Sequence, residues 1–265
     1  MKNPQLNIAL EASLQAGKVI MEVYNSDINV DYKTDNSPIT EADKKANTVI
    51  TNILKNTGIP IISEENKQTD YNIRKTWETC WIIDPVDGTK EFIKRNGEFT
   101  VNIALVINGK PIIGVIYVPA TQVLYFADVS TKKAFKSTLT SHSIPVSKVL
   151  EMAKPLTPKN QNTTTIQIVG SRSHISPETI DFIDNIKKQG KTVEIVSIGS
   201  SLKFCLIAEG CADIYPRFAP TMEWDTAAGH AICNAVGVNV IAQDSKTELV
   251  YNKKNLLNPW FLVSK

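Results

Sequence analysis

The apolar run Cys80-Trp81-Ile82-Ile83 stops at Asp84-Pro85-Val86-Asp87-Gly88-Thr89-Lys90, so a strand delivers two carboxylates into a tight turn. Pro85 fixes φ and removes a backbone donor, while Gly88 permits a turn that a side chain would block. Such a segment gathers acidic oxygens and backbone N–H groups at the end of a sheet. Carboxylates hold hard cations such as Mg²⁺, and glycine beside N–H groups lets a phosphate approach closely. Asp, Pro and Gly are also ordinary turn formers, so this segment alone suits a solvated turn as well.

The rest of the chain narrows the choice. With 265 residues, 42% hydrophobic and 21% charged, it is long enough for a large core and near the size at which cores divide. A formal net charge of +2, without a block of like charge, argues against a nucleic-acid polymer as partner. Cys80, Cys205, Cys211 and Cys233 form no C-x-x-C pair and are expected as buried thiols in a reducing cytosol. His142, His174 and His230 are too few for a histidine-rich metal centre. No stretch approaches the ~18 apolar residues of a transmembrane segment, and the N-terminus lacks the apolar core of a signal peptide. The expected location is the cytoplasm, with peripheral association at the inner face of the cell membrane left open. Nothing in the sequence selects an oligomeric state.

Periodicity predicts a helix from Pro4 to about Tyr24 and a second from Thr40 through Leu54, closed by Gly58 and Pro60. Short strands follow at residues 59–63 and 80–83. A meander comes next over 99–106, 112–118 and 123–127, with Asn108-Gly109 as a hairpin turn. These elements predict an α+β layer, with helices covering one side of a largely antiparallel sheet. Residues 150–165 read as a polar connection. Beyond them strands at 166–170, 193–196, 212–215 and 238–241 alternate with helices at 177–188, 201–209 and 225–236, as in an α/β layer with some parallel pairing. The expected subdomains are 1–150 and 151–265.

Asp43, Glu64, Asp84 with Asp87, and Asp225 in Glu223-Trp224-Asp225-Thr226-Ala227-Ala228-Gly229 belong together in one reading. Each has an ordinary alternative. Thr40-Glu41-Ala42-Asp43 fits a capping box, Glu64-Glu65 a solvated loop, and Asp225 a helix cap.

A strand ending in Glu64-Glu65, the segment Trp81 to Thr89 and the later Trp224 to Gly229 together resemble the lithium-sensitive, Mg²⁺-dependent phosphatase superfamily that includes inositol monophosphatases. The resemblance covers nearly the whole chain and implies a layered α-β-α-β-α sandwich, the inositol monophosphatase-like fold of sugar phosphatases. The runs Asp87 to Thr100, Ser197 to Cys205 and Tyr215 to Phe218 are more similar to CysQ-type 3′(2′),5′-bisphosphate nucleotidases. That likeness implies removal of the 3′-phosphate from 3′-phosphoadenosine 5′-phosphate to give AMP, with the 5′-phosphosulfate analogue as a further substrate and a place in sulfur metabolism.

By the same resemblance, Glu64, Asp84, the carbonyl of Val86, Asp87 and Asp225 hold two or three Mg²⁺ ions. Asp43 and Thr89, with Glu64, serve the attacking water. Gly88, Thr89 and Lys90 meet the scissile phosphate, and His174, Ser200, Lys203 and Arg217 face the rest of the nucleotide. The planar fork of Arg217 suits bidentate phosphate contact, whereas a lone lysine on a helix is more often only a solvated charge. On this division, residues 1–150 supply most metal ligands and residues 151–265 supply Asp225 and the nucleotide contacts.

Three other readings remain. Haloacid-dehalogenase phosphatases carry D-x-D-G-T, but here the spacing is D-x-x-D-G-T. An inositol or sugar monophosphatase of the same fold shares the metal ligands. A non-enzymatic sensor of phosphorylated nucleotides would not need the complete carboxylate set.

Overall fold

The computed structural model describes residues 3–26, 30–32, 38–158, 164–170 and 176–265. The chain runs through α1 (Pro4–Tyr24), β1 (Val30–Tyr32), β2 (Pro38–Thr40), α2 (Glu41–Leu54), β3 (Ile61–Ser63), α3 (Tyr71–Arg74), β4 (Thr79–Asp87) and α4 (Thr89–Ile93). It continues through β5 (Thr100–Ile107), β6 (Lys110–Val118), β7 (Val123–Asp128), β8 (Lys133–Thr138), α5 (Val146–Glu151) and β9 (Lys154–Pro155). The remaining elements are β10 (Thr165–Gly170), α6 (Pro177–Lys188), β11 (Thr192–Ser197), α7 (Leu202–Ala208), β12 (Ile214–Arg217), α8 (Glu223–Ala235), β13 (Asn239–Ala242) and β14 (Phe261–Ser264).

Among the described residues the first large sheet has the order β3-β4-β5-β6-β7-β8-β9, with only β3 and β4 parallel. Both of its faces are covered, which explains why its strands read as nearly continuous apolar runs. Trp81, Ile83, Val101, Ile103, Val115 and Tyr117 pack with α1 and α2 on one face. Their neighbours Cys80, Ile82, Ala104, Val106 and Ile116 pack on the other with α7 and α8. Side chains alternate along a strand, so residue parity selects the core each one enters.

The second sheet has the order β11-β10-β12-β14-β13. Val169 of β10 faces α7 and α8, whereas Ile166 and Ile168 face α6 with Phe182, Ile183 and Ile186. The layers are therefore α1 and α2, the first sheet, α7 and α8, the second sheet, then α6. This is the layered α-β-α-β-α sandwich.

The structure departs from sequence expectation at several places. Residues 150–165 are not a plain connection, because Lys154–Pro155 adds β9 to β8, while residues 159–163 lie outside the described residues. The strand expected at 212–215 starts at Ile214, since the Asp213 N–H and carboxylate bridge to the Gln167 backbone and anchor the lead-in. Cys211 is exposed rather than buried, unlike Cys80, Cys205 and Cys233. Strands β14 and β8, each flanked by a strand on both sides, carry no signal in the periodicity of the sequence. No helix among the described residues is long and apolar enough to cross a membrane.

Candidate active site

Asp84 shares its parity with Cys80 and Ile82, so the end of β4 aims it at the inter-sheet helices. Asp87 lies three residues on and in a regular strand would point the opposite way. A bulge prevents this. Asp84 pairs with Asn102 and Asp87 with Thr100, so one extra residue on β4 brings both acids to the same face. Pro85 sits within the bulge, where its missing N–H breaks no regular ladder bond. The Val86 N–H donates to Asp84 Oδ1 at 3.0 Å, and Gly88, at φ 92°, turns the chain into α4.

Two helix starts complete the acidic group. Asp43, third residue of α2, accepts from the Thr40 N–H at 2.7 Å and the Thr40 hydroxyl at 2.6 Å, so the expected capping box forms. The Thr89 hydroxyl donates to its other oxygen at 3.3 Å and lies 3.4 Å from the Val86 carbonyl. Asp225, third residue of α8, accepts from the Met222 N–H at 2.8 Å. A helix cap and an acidic-site residue are thus one and the same side chain, twice. The helix α8 is seated against β6 at Gly114, where any Cβ would collide with the Ala228 carbonyl.

Carboxylate oxygens of Glu64, Asp84 and Asp225 all lie within 4.8 Å of one another. Glu64 follows β3, its N–H donating to the Ile83 carbonyl at 3.3 Å, which sets it beside Asp84. Burial pushes the Asp84 carboxyl well above the usual carboxylate range, and the charges of Glu64, Asp87 and Asp225 push it further. Burial and then the Asp87 charge raise Asp225 to about 8. Burial raises Asp87 to about 6 against the opposing pull of Lys203, and raises Asp43 against its bonds from Thr40. Crowded oxygen-only donors of like charge, Asp84 buried and Glu64 and Asp225 half-buried, are the chemistry that suits a hard cation, so this group is able to bind a metal. Asp87 stands outside the three-carboxylate cluster.

Asp87 and Asp225 also line a pocket with Gly88, Ser200, Lys203 and Arg217. Lys203 is 8% exposed, and its ammonium donates to the Ser200 carbonyl at 2.9 Å. Burial lowers its pKa, opposed by Asp87. One Arg217 nitrogen donates to the Pro220 carbonyl at 2.9 Å. Its Nε and the Ser200 hydroxyl are buried without a hydrogen-bond partner. Buried polar groups are normally satisfied, so these two point to a ligand oxygen.

The structure thus brings together Asp43, Glu64, Asp84, Val86, Asp87, Gly88, Thr89, Asp225, Ser200, Lys203 and Arg217 around one acidic centre and its adjoining pocket. Lys90 is exposed on α4 and does not line the pocket. His174 lies outside the described residues. The sequence reading passed over Glu91, Glu98 and Tyr215, which line the pocket, and Asn102, which bonds Asp87. Asn102 did carry a signal, being an amide at a core-facing position inside the apolar run 101–106.

The family model for the inositol monophosphatase family matches residues 1–260. The chain belongs to the inositol monophosphatase family. Within that family it is 44% identical over 253 residues to the 3′(2′),5′-bisphosphate nucleotidase CysQ of Salmonella typhimurium, covering 94% of this chain and 95% of that one. It is 43% identical over 263 residues to the protein of the same name from Shigella flexneri, covering 98% and 99%. The crystal structure of CysQ from Bacteroides thetaiotaomicron, a bacterial member of the family, superposes with a TM-score of 0.87 at 49% identity, covering 98% and 96%. The suhB protein of Bartonella henselae superposes at 0.78 with 22% identity over 99% and 94%, a likeness of fold alone.

Proposed function

We propose that this chain is a 3′(2′),5′-bisphosphate nucleotidase that hydrolyses 3′-phosphoadenosine 5′-phosphate to AMP and phosphate, with the 5′-phosphosulfate analogue as a second substrate. The observation that carries the reading is one pocket in which Lys203 and Arg217 adjoin Asp87 and Asp225. A substrate with two phosphates needs positive charge away from the scissile group, and a simple sugar or inositol phosphate does not. The full-length likeness to proteins named for this activity points the same way.

On this reading Glu64, Asp84, the Val86 carbonyl, Asp87 and Asp225 hold two or three Mg²⁺ ions. Once bound, such ions neutralise phosphate oxygens, lower the pKa of a water and stabilise the leaving alkoxide. Thr89 passes its own proton toward Asp43, which frees the Thr89 oxygen to accept from the attacking water. The burial that raises Asp43 makes it a better proton acceptor than a surface carboxylate. Gly88 and Thr89 offer N–H groups to the scissile phosphate. Ser200, Lys203 and Arg217, with His174, take the rest of the nucleotide. Residues 1–150 then carry most of the metal chemistry and 151–265 the specificity, in an enzyme of the cytoplasm.

Phosphate release from 3′-phosphoadenosine 5′-phosphate, inositol 1-phosphate and fructose 1,6-bisphosphate, with and without Mg²⁺, tests the reading. The nucleotide should be turned over with the highest kcat/KM, and only with Mg²⁺. A clear preference for inositol 1-phosphate would move the assignment to the monophosphatase alternative.

A further inference from the structure

Asn102 is 1% exposed, and a buried amide is costly unless its hydrogen bonds are made. All the contacts around it converge on one carboxylate. Asn102 Oδ1 lies 3.1 Å from the Thr100 hydroxyl and 2.7 Å from the Ser201 hydroxyl, and those two hydroxyls are 2.8 Å apart. With Oδ1 taken, Asn102 Nδ2 donates to Asp87 Oδ2 at 3.3 Å. The reverse orientation would set an amide oxygen against a carboxylate, so the chemistry fixes which end faces Asp87. The same Asp87 oxygen accepts the Ser201 N–H at 2.6 Å. Ser201 follows Ser200 and opens α7, so the restraint reaches Asp87 from β5 in one sheet and from the segment that carries Lys203.

We propose that Asn102, locked by Thr100 and Ser201, is a positioning residue that fixes the Asp87 carboxylate and sets the affinity of a cation that Asp87 would help to hold. The inference rests on the metal-dependent phosphatase reading. Partners behind a metal-binding carboxylate decide its orientation, and their removal typically weakens metal binding about ten- to hundred-fold. Asp87 needs such support because it lies outside the cluster of Glu64, Asp84 and Asp225.

Titration of the full chain with Mn²⁺ alone, followed by electron paramagnetic resonance, tests this without turnover. Asn102→Ala and Thr100→Val should bind Mn²⁺ about ten- to hundred-fold more weakly, and Thr100→Ser should stay close to wild type. AMP binding without metal and metal-free melting temperature should be unchanged in Thr100→Val, and its kcat should recover as Mg²⁺ is raised while KM for the nucleotide stays constant. Thr100→Val decides the matter if Asn102→Ala does not fold. Unaltered Mn²⁺ affinity in Thr100→Val overturns the inference and leaves the phosphatase reading standing. Equal losses of Mn²⁺ affinity, AMP affinity and melting temperature mark a merely structural role and also overturn it. A wild-type chain that binds no Mn²⁺ removes the metal-dependent reading itself.

Discussion

Asp43 and Asp225 stand at the third position of their helices, and each accepts through Oδ2 the N–H of the residue three before it, Thr40 at 2.7 Å and Met222 at 2.8 Å. The cap fixes the carboxylate plane and leaves Oδ1 outside the cap. For Asp43 that second oxygen accepts the Thr89 hydroxyl. A helix N-terminus also favours negative charge, which partly offsets the burial of both acids.

If Asp43 receives a proton through Thr89, then Thr89→Val should lower kcat by about 10²–10⁴-fold while Thr89→Ser retains most activity. Asp43→Asn should match Thr89→Val, and the double variant should be no worse than either single one. Steady-state kinetics at saturating Mg²⁺ measure this. Independent, multiplicative losses would show that the two residues do not act as a unit.

Asp84→Asn should leave a folded protein without phosphatase activity, because a neutral amide cannot balance cation charge. Its metal-free melting temperature should equal or exceed that of wild type, since the change removes a buried carboxylate repelled by Glu64, Asp87 and Asp225. Mg²⁺ should then raise that temperature less than it does in wild type. Thermal melts with EDTA or Mg²⁺ give both numbers, and near-normal turnover would refute the ligand role.

Asp87 and Asp225 predict the pH response of the metal-free protein. Their ordinary value is 3.8, and burial raises them to about 6 and about 8. An acid whose folded pKa is raised binds its proton more tightly when folded, so its stabilisation is complete below the unfolded value and lost as pH rises through the folded one. Melting temperature in EDTA should therefore fall from about pH 4 to about pH 8 on account of these groups. Added Mg²⁺ should have its largest stabilising effect at the upper end of that range. A melting temperature in EDTA that rises across the window would contradict the burial argument.

Arg217→Ala should reduce kcat/KM for 3′-phosphoadenosine 5′-phosphate by about ten- to hundred-fold, the loss expected when a charge-assisted contact worth roughly 1.5–3 kcal/mol disappears. A small phosphate ester without the nucleotide should be hydrolysed at an almost unchanged rate. Equal losses on both substrates would mean that Arg217 supports the fold, for example through its bond to Pro220, and not the ligand.

Much of this was legible in the residues because local rules and tertiary structure agree. Asn108-Gly109 closes the β5–β6 hairpin as its turn chemistry demands, and the helices at 4–24 and 177–188 keep their expected bounds. The acids were legible as a group through the family resemblance of the segments that carry them, since each alone also fits a turn, a loop or a helix cap. The β4 bulge was not, because a Pro in an apolar run does not say which way the next acid will point. Glu98 was also missed, since its bond to the Gly199 N–H at 2.8 Å joins segments that no local pattern connects. The resemblance implies that Lys90 meets the phosphate, but in the first turn of α4 it is exposed and outside the pocket lining.

The place of β14 in the second sheet has a consequence for how the protein is made. Residues 261–264 lie between β12 and β13, pairing with both, so the ribosome delivers this interior strand after both of its neighbours. Until then β12, which carries Arg217, and β13, which follows α8, have no strand to join them, and the layer that seats Asp225 lacks its floor. The first sheet can close on the nascent chain well before this. The acidic centre should thus stay half assembled until this short segment has emerged, and its pairing, more than any step in the first sheet, should set when the nascent chain acquires a complete site.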